Sequence, residues 1–281
     1  MPSNETQCLF ETEQNYFDRF AVEKAKDDEL VIELEALRLR LADPNDLPFR
    51  EDVMGVLNRY HSDERRRDGY MLLFASSDQD RRRNYRSDRY ELVTQELVAA
   101  LASHLLVAKT ALGVSTRPLR ILELGAGDGK LALHIAAYLD KNAPGQFILS
   151  ATDDGSWNIP HAANVEIRDI TEALETEKPD IVIAAWLPDD WTPLIRQQES
   201  VRECILLGDP GCSGAGSRSP WGAYGRSLIY GRELNPEFCK EDAVWPNAGF
   251  SCRWLDEITE IQLGYNHSGR EGCSKAIAFQ R

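Results

Sequence analysis

The stretch that most constrains this chain is Leu119 to Leu139, LRILELGAGDGKLALHIAAYL. An apolar run of strand length is followed by glycines at alternate positions, Gly125, Gly127 and Gly129, and then by an amphipathic helical pattern. Glycine lacks a Cβ, so it adopts backbone angles closed to other residues and lets a ligand approach the main chain closely. The helix that follows has unpaired N–H groups in its first turn. This strand, glycine loop and helix together predict a cofactor-binding loop.

The spacing of the glycines distinguishes two classes of cofactor. A dinucleotide fingerprint, G-x-G-x-x-G, needs glycine at the position directly after Gly129, where this chain has Lys130. The pattern is instead E-x-G-x-G-x-G, with Glu123 ahead of the first glycine. A carboxylate suits the cationic aminoacyl end of a cofactor, whereas a pyrophosphate disfavours an acid so close. We also expect Asp128 to be the N-cap of the helix.

This motif resembles the first motif of the class I S-adenosylmethionine-dependent methyltransferases. The resemblance implies that the methionine part of S-adenosylmethionine lies against Gly125, Ala126 and Gly127. It also implies that Glu123 acts near the ammonium group, directly or through water. The alternative interpretation is a tight strand-to-helix turn with no ligand. A nicotinamide-dependent oxidoreductase is disfavoured by Lys130.

Length and charge limit the functions that remain. The chain has 281 residues, enough for one large domain or one domain with an extension. Its net charge of −14 disfavours a nucleic-acid partner, since that affinity comes mostly from Lys and Arg, although a local basic patch stays open. No apolar run approaches the roughly 20 residues that span a bilayer, and no signal pattern begins the chain. We therefore expect a cytoplasmic protein without a membrane partner.

The six cysteines are scattered, with no C-x-x-C and no histidine at metal-ligand spacing. We expect free thiols and no metal site. This also disfavours a metal-assisted methyl transfer of the catechol type.

Residues 1–89 are predicted to be a helical N-terminal extension, and residues 90–281 the S-adenosylmethionine-binding domain. In the extension, Leu30, Leu34, Leu37 and Leu41 recur on one face of a helix predicted from Val22 to Leu41. Such a stripe usually packs on its own domain. The alternative is a dimer through these helices, for which a coiled coil would need more heptads.

The arginine-rich segment 64–89 is interleaved with acids, which is typical of a solvated helix face with paired charges. The functional alternative is that Tyr85, Arg86 or Arg89 folds over the cofactor. After this segment, Tyr90 to Leu112 reads as a second helix that leads directly into the first strand.

The rest of the chain alternates as in a parallel α/β sheet. The fold predicted by the pattern and the resemblance is a Rossmann-like class I methyltransferase sheet, mostly parallel, with the last strand antiparallel. The predicted strands are residues 119–124, 147–152, 164–170, 180–185 and 202–209, with a final pair within 251–261 and 275–281.

Acids stand at the ends of the second and third predicted strands. A carboxylate can accept both hydroxyl hydrogens of a ribose, and the family pattern selects Asp153, with Asp154 as the second candidate. The alternative is that both acids cap a loop. The resemblance places Asp169 beside the adenine amino group, with the backbone N–H of Ile170 directed at the ring.

The chain departs from the family between these two strands, where only about ten residues are too few for a full crossover helix. Trp157 and Ile159 either fill that gap against the adenine face or belong to the core.

The acceptor is expected outside the carboxyl ends of the strands, at the segment that follows the fourth strand. Trp186 and Trp191 there can stack on a flat substrate or enclose a cationic one, and Trp186 is also a candidate cofactor contact. Asp189 or Asp190 can orient or deprotonate an acceptor. A helix cap or a packed aromatic ring explains these residues equally well. The motif [DN]-P-P-[YFW] of the DNA amino-methyltransferases is absent.

These patterns predict an S-adenosylmethionine-dependent methyltransferase that acts on a small molecule or a protein rather than on DNA. The alternative is a catalytically inactive methyltransferase-like scaffold or regulatory subunit. The intact Glu123, Asp153 and glycines argue against loss of the cofactor.

Overall fold

A seven-stranded sheet forms the centre of the molecule. The computed structural model describes residues 29–60, 62–74, 90–157, 159–208, 244–264 and 274–281. The strands are β1 Leu119–Leu124, β2 Phe147–Asp153, β3 Val165–Ile167, β4 Ile181–Ala185, β5 Glu203–Gly208, β6 Ser251–Trp254 and β7 Lys275–Gln280. Their order in the sheet is β3-β2-β1-β4-β5-β7-β6.

The direction of the strands confirms the predicted sheet. Strands β1 to β5 pair in parallel, and β7 lies antiparallel between β5 and β6. The predicted strands lie where the sequence placed them, with two corrections. The third is shorter than 164–170, because the chain leaves the sheet after Ile167 and Ile170 is already helical. The predicted strand in 251–261 ends at Trp254, and a short helix follows.

The helices cover both faces of the sheet. They are α1 at residues 29–42, α2 Arg50–Leu57, α3 Asp63–Leu72, α4 Gln95–Ala111, α5 Lys130–Asn142, α6 Ile170–Glu177, α7 Thr192–Gln197, α8 Val244–Asn247 and α9 Asp256–Thr259. The predicted helix from Tyr90 begins later, at Gln95, because Thr94 is the N-cap and its side chain accepts from Leu97 N.

Alternate residues of the central strands enter two separate hydrophobic clusters. Ile121 and Ile183 pack with α4 and α5 on one face, whereas Leu122 and Val182 pack with α6 and α7 on the other. Successive side chains of a strand point to opposite faces, so a strand buried on both sides needs an unbroken apolar run. The result is a three-layer α/β/α arrangement whose loops meet at the carboxyl edge of the parallel strands.

The leucine stripe of α1 is buried within the chain. Leu34 and Leu41 are each 2% exposed, and they pack in a third cluster with Leu57, Leu92 and Leu263. These leucines therefore pack within the chain. A dimer through α1 would need the same leucines at its interface. The predicted start of this helix at 22 lies outside the described residues, and the boundary at 89/90 stays a prediction.

Lys130 attaches the N-terminal extension to α5. Its Nζ donates to the carbonyl oxygens of Arg40, Leu41 and Asp43 at 3.2, 3.1 and 2.9 Å, at the C-terminal end of α1. Lys130 is 1% exposed, and the negative end of the helix dipole offsets the charge of its ammonium group. Lys130 is the first residue of α5, so the extension is held directly beside the glycine loop.

Several predicted features fall outside the described residues. They are the arginines between 80 and 89, with Tyr85, Arg86 and Arg89. Of the cysteines in the described part of the chain, Cys204 is a buried free thiol. Within the described ranges, no helix has the length and apolar character that crossing a bilayer requires.

Candidate functional site

The glycine loop after β1 has a backbone that only glycine adopts readily. Gly125, Gly127 and Gly129 have φ angles of 66°, 56° and 79°, all in the left-handed region. A Cβ on Gly129 would also overlap Val165 Cγ2, so packing alone requires glycine there. Gly129, rather than the predicted Asp128, is the N-cap of α5, although Asp128 Oδ1 accepts from Lys130 N at 3.0 Å.

The carbonyl side of the loop is held by the segment between β2 and β3. The pairs are His161 Nδ1 with Gly127 O at 2.7 Å, Ala162 N with Asp128 O at 3.0 Å, and Asn164 Nδ2 with Gly129 O at 3.1 Å. A carbonyl only accepts, so the His161 ring carries its proton on Nδ1. The short connection that replaces a crossover helix is therefore a template for the loop. Its role was not predicted, because these pairs join residues more than thirty positions apart in the sequence.

Glu123 is a buried acid with no ion-pair partner among the described residues. It lies on β1, is 4% exposed, and its Oε2 atom has no hydrogen-bond partner in the described part of the chain. Burial, reinforced by the charges of Asp128 and Asp153, raises the pKa of Glu123 to about 8, although the backbone amide of Ala132 acts in the opposite direction. A buried carboxyl group without a partner costs free energy, which is why such groups occur where a ligand completes them.

Asp153 lies at the end of β2 and binds the glycine loop. It is 8% exposed, its Oδ2 accepts from Gly127 N at 2.9 Å, and its Oδ1 accepts from Gly155 N at 2.9 Å. Each carboxylate oxygen has a second lone pair available for a hydroxyl group. Asp154, the second candidate, is exposed and its Oδ1 accepts from Ser156 N at 2.9 Å. Of the two acids, Asp153 is the one that the structure joins to the loop.

Asp169 and Ile170 begin α6. Asp169 is the N-cap, and its Oδ1 accepts from Thr171 N at 2.8 Å and Glu172 N at 3.4 Å. Ile170 is the first helical residue, a position whose N–H has no acceptor within the helix. The adenine role that the resemblance implies for these residues stays a prediction, and capping explains Asp169 by itself.

Ala126 completes the loop with its backbone. Its N–H donates to Thr152 O at 3.0 Å, so the glycine loop is tied to the end of β2. The residue is 8% exposed. Its small side chain packs in a cluster with Ala132 and Ala151.

Trp186 follows β4 directly and has an unusual backbone conformation. Its φ is 57°, which is an outlier for a bulky residue and indicates that the surrounding structure holds it. Its ring stacks on Tyr90 with 5.4 Å between ring centroids, and its Nε1 donates to Glu91 Oε2 at 3.3 Å. Such strained positions cluster at functional sites.

The acids after Trp186 lie on a short 3-10 helix, Asp189–Trp191. Asp190 is exposed, and the side chain of Asp189 lies outside the described part of the structure. Trp191 stands against the loop, since its Cζ3 is 3.6 Å from the position of a Cβ on Gly125. The catalytic roles of Asp189 and Asp190 stay predictions.

Glu91 is a buried acid that sequence reasoning missed. Its Oε2 accepts from Ser274 Oγ at 2.9 Å as well as from Trp186, and its Oε1 accepts from Leu263 N at 3.1 Å. Burial raises the pKa of Glu91 to about 7, against the opposing effect of these hydrogen bonds. No local pattern marks this residue, because its partners are 95 to 183 positions away in the sequence.

The described residues contain no group of His, Cys, Asp and Glu placed to hold a metal ion. The decisive features are the sheet, with five parallel strands and β7 antiparallel beside β5, and the glycine loop after the central strand β1. These features make it the Rossmann-like α/β sheet that the sequence predicted. Glu123, Asp153 and Trp186 lie at or next to the carboxyl ends of its parallel strands.

No protein-family model matches the chain, and no curated protein matches it. Among solved structures, the CurJ carbon methyltransferase is similar at 17% identity and a TM-score of 0.35, over 64% of this chain and 53% of that one. Magnesium protoporphyrin IX methyltransferase (ChlM) from Synechocystis PCC 6803, with bound S-adenosylhomocysteine (SAH), is similar at 13% identity and a TM-score of 0.35, over 81% of this chain and 98% of that one.

The plantazolicin methyltransferase BpumL, in complex with a triazolic desmethylPZN analog and SAH, is similar at 14% identity and a TM-score of 0.38. That similarity covers 88% of this chain and 98% of that one. This chain spans about half the length of the CurJ chain.

Proposed function

We propose that the chain binds S-adenosylmethionine (SAM) and transfers its methyl group to a small molecule or a protein rather than to DNA. The observation that carries this proposal is Glu123, a buried carboxyl group whose Oε2 has no partner in the described residues. It lies directly before a loop of left-handed glycines. A cationic amine beside Glu123 would satisfy the orphaned oxygen and lower the raised pKa of the acid. The residues present therefore fit the aminoacyl end of SAM.

The remaining cofactor residues follow from their places around the loop. Gly125, Ala126 and Gly127 would hold the methionine part through their backbone, as the absence of large side chains allows. Asp153, which already shapes the loop, would use its second lone pairs for the ribose hydroxyls. Asp169 and Ile170 at the start of α6 would contact the adenine.

When bound, SAM would supply a methyl group on a sulfonium leaving group. The work of the protein is then to align an acceptor and, where needed, to accept its proton. Trp186 would form one side of the acceptor space, held there by Glu91 and Tyr90. Asp189 or Asp190 would orient or deprotonate the acceptor.

Calorimetric titration of the purified protein tests the cofactor. We expect micromolar binding of SAM and SAH and no binding of NAD, the control. Gly127→Trp should abolish binding of SAM and SAH, because the left-handed backbone strains any side chain and the indole would fill the space beside the loop where the methionine part is expected. If the wild type binds neither SAM nor SAH, the proposal is wrong.

A measurement of methyl transfer distinguishes an enzyme from the inactive scaffold. No contact among the described residues favours the scaffold. Asp190→Ala should leave SAM affinity unchanged and reduce methyl transfer, because Asp190 is exposed at the acceptor side. The matched control is Glu199→Ala, an exposed acid beyond α7. Equal turnover in the two variants would remove Asp190 from the mechanism while leaving the cofactor assignment intact.

A further inference from the structure

Strand β2 has a free edge along its first half. Strand β1 pairs with one side of β2 from Phe147 to Thr152, whereas β3 pairs with the other side only from Ala151 to Asp153. Beside residues 147–150, on the side away from β1, no strand of the described chain is present. The free edge of a strand is a template for pairing with another extended chain.

The hydrogen bonds of β2 show which residues face this edge. Gln146 O and Thr152 O accept from backbone N–H groups on the β1 side at 2.9 and 3.0 Å, so the even-numbered residues direct their backbone at β1. The residues between them face the other way, as Asp153 O does in accepting from the segment after β3 at 3.0 Å. Phe147 and Leu149 therefore present their N–H and C=O groups at the free edge. Within the described ranges these groups have no hydrogen-bond partner.

An apolar hollow lies beside this edge, on the side of the sheet that α5 covers. It has a volume of about 160 Å³, and its walls include Ala136, Leu139, Asp140 and Ala143 of α5 with Phe147 and Leu149 of β2. An apolar cavity of about 150 Å³ holds a group as large as benzene. On the other face of β2, the Ile148 side chain is 49% exposed. We call the backbone of residues 147–150, the hollow and Ile148 together the β2 edge site.

The charge at the hollow favours a cationic partner. Asp140 is exposed at its wall, and none of the described residues forms an ion pair with it. The nearby Lys109 is already engaged, because its Nζ donates to Gln146 O at 3.0 Å and to Arg117 O at 3.2 Å. A Lys or Arg side chain brought to the hollow therefore has Asp140 as its partner.

A second copy of this chain fits the edge poorly. Strand β3 lies on the same side of β2 as the free edge. If two β2 strands paired antiparallel about Ile148, β3 of each copy would meet the turn at residues 143–146 of the other. A short peptide carries no such neighbouring strand, and four free residues at about 3.3 Å each provide about 13 Å of edge for it.

We propose that the β2 edge site binds an extended peptide segment of a partner protein, which adds to the sheet as a strand beside β2. The main chain of the segment pairs with Phe147 and Leu149. One of its apolar side chains fills the hollow, and a Lys or Arg two residues away, on the same face, pairs with Asp140. The site lies at the opposite end of β2 from Asp153, so this binding goes beyond the proposed function and does not depend on it.

Titration with the blocked peptide acetyl-KVLVK-amide, followed by NMR of the protein amides, tests the site. The two lysines and the leucine of this peptide share one face of a strand. The Phe147 and Leu149 resonances should shift, and at saturation their exchange with solvent should slow by about tenfold or more. Ile148, whose backbone faces β1, is the internal control and should change little in its exchange. The peptide acetyl-EVLVE-amide should bind about two- to fivefold more weakly.

Leu149→Pro tests the backbone pairing. Proline lacks the N–H that faces the free edge, and the hydrogen bonds to β1 remain because Leu149 does not face β1. The variant should bind acetyl-KVLVK-amide at least about tenfold more weakly than Leu149→Ala, the matched control that loses the same side chain and keeps the N–H. If Leu149→Pro does not fold, Ala136→Leu, which fills the hollow from α5, should produce the loss instead.

Asp140→Asn tests the charge at the hollow. It should weaken binding of acetyl-KVLVK-amide about two- to fivefold, whereas Glu172→Gln, an exposed acid on the other face of the sheet, should leave it unchanged.

Three results would overturn this inference. One is the absence of any shift at Phe147 and Leu149 with about 1 mM acetyl-KVLVK-amide. Another is equal binding by Leu149→Pro and Leu149→Ala, which would remove the strand pairing. The third is self-association in sedimentation that Leu149→Pro abolishes, which would assign the edge to a second copy. None of these measurements involves SAM, so each leaves the proposed function to its own test.

Discussion

Replacing Glu123 with glutamine should make the free protein more stable at neutral and alkaline pH. Burial raises the pKa of Glu123 to about 8 in the folded protein, from an ordinary value of 4.5. Between pH 4.5 and pH 8 the carboxyl group of Glu123 is therefore protonated in the folded protein and ionised in the unfolded chain. The contribution of Glu123 to the free energy of unfolding is complete below pH 4.5 and is lost as the pH rises towards 8.

The size of the effect follows from the same two values. Ionisation of Glu123 inside the folded protein should lower the free energy of unfolding by about 5 kcal/mol above pH 8. About 3 kcal/mol of this decrease should appear between pH 5 and pH 8. Glutamine does not ionise, so the difference in unfolding free energy between Glu123→Gln and the wild type should grow by about 3 kcal/mol over this range. Glu91 titrates in both proteins and cancels in the difference.

Urea unfolding at several pH values, without cofactor, measures this difference. Glu175→Gln, an exposed acid on α6, is the control and should follow the wild type. Parallel stability curves for Glu123→Gln and the wild type would refute the reasoning, because they would mean that Glu123 ionises near its ordinary pKa.

The same substitution should change how SAM binds. A cation beside Glu123 favours its ionised form, so SAM binding at pH 7 should release about one proton from the wild type. Calorimetry in phosphate and in Tris, which differ in ionisation enthalpy, reports this release. Glu123→Gln should bind more weakly and release no proton, and equal release by both proteins would assign the proton to another group.

Three further substitutions test the loop and its supports by urea unfolding and SAH titration. Gly129→Ala should destabilise the fold by about 3 kcal/mol, because the left-handed backbone and an overlap with a β3 side chain both disfavour a Cβ. His161→Ala should weaken SAH binding about fivefold by releasing a loop carbonyl, whereas His134→Ala, which releases a carbonyl of the extension, should not. Lys130→Met should cost about 3 kcal/mol by leaving three carbonyls without their buried donor, and Lys141→Met, exposed on the same helix, should cost little.

Each of these predictions has a result that contradicts it. A Gly129→Ala variant as stable as the wild type would mean that β3 moves away at no cost. Equal SAH affinities for His161→Ala and His134→Ala would remove the β2–β3 connection as a template. A Lys130→Met variant no less stable than Lys141→Met would mean that α1 does not depend on this contact.

The parts of the protein that local chemistry specifies were predicted from the sequence. The mostly apolar run 119–124 was predicted to be a strand from its length, and it is β1 with the predicted bounds. The alternate glycines at 125, 127 and 129 predicted a loop with backbone angles closed to other residues, and all three have positive φ. Asp153 at the end of β2 followed from strand length and the acid that ends it.

The predicted boundaries shifted where a side chain competed with the backbone pattern. The third strand was predicted to reach Ile170, but Asp169 caps a helix instead and its carboxylate satisfies the first N–H groups of α6. Likewise, Thr94 delays the start of α4 to Gln95. Periodicity reports burial, and it does not report which residue ends an element.

By itself the sequence determined the strand, the glycine loop and the acids around it, because each depends on residues that are neighbours along the chain. Only the tertiary structure decided what supports them. Lys130 reaches carbonyls 87 to 90 positions away, His161 holds a loop carbonyl 34 positions away, and Glu91 joins Trp186 to the C-terminal segment. Burial raises the pKa of Glu91 and gives these polar groups their positioning roles, and burial exists only once the distant segments pack.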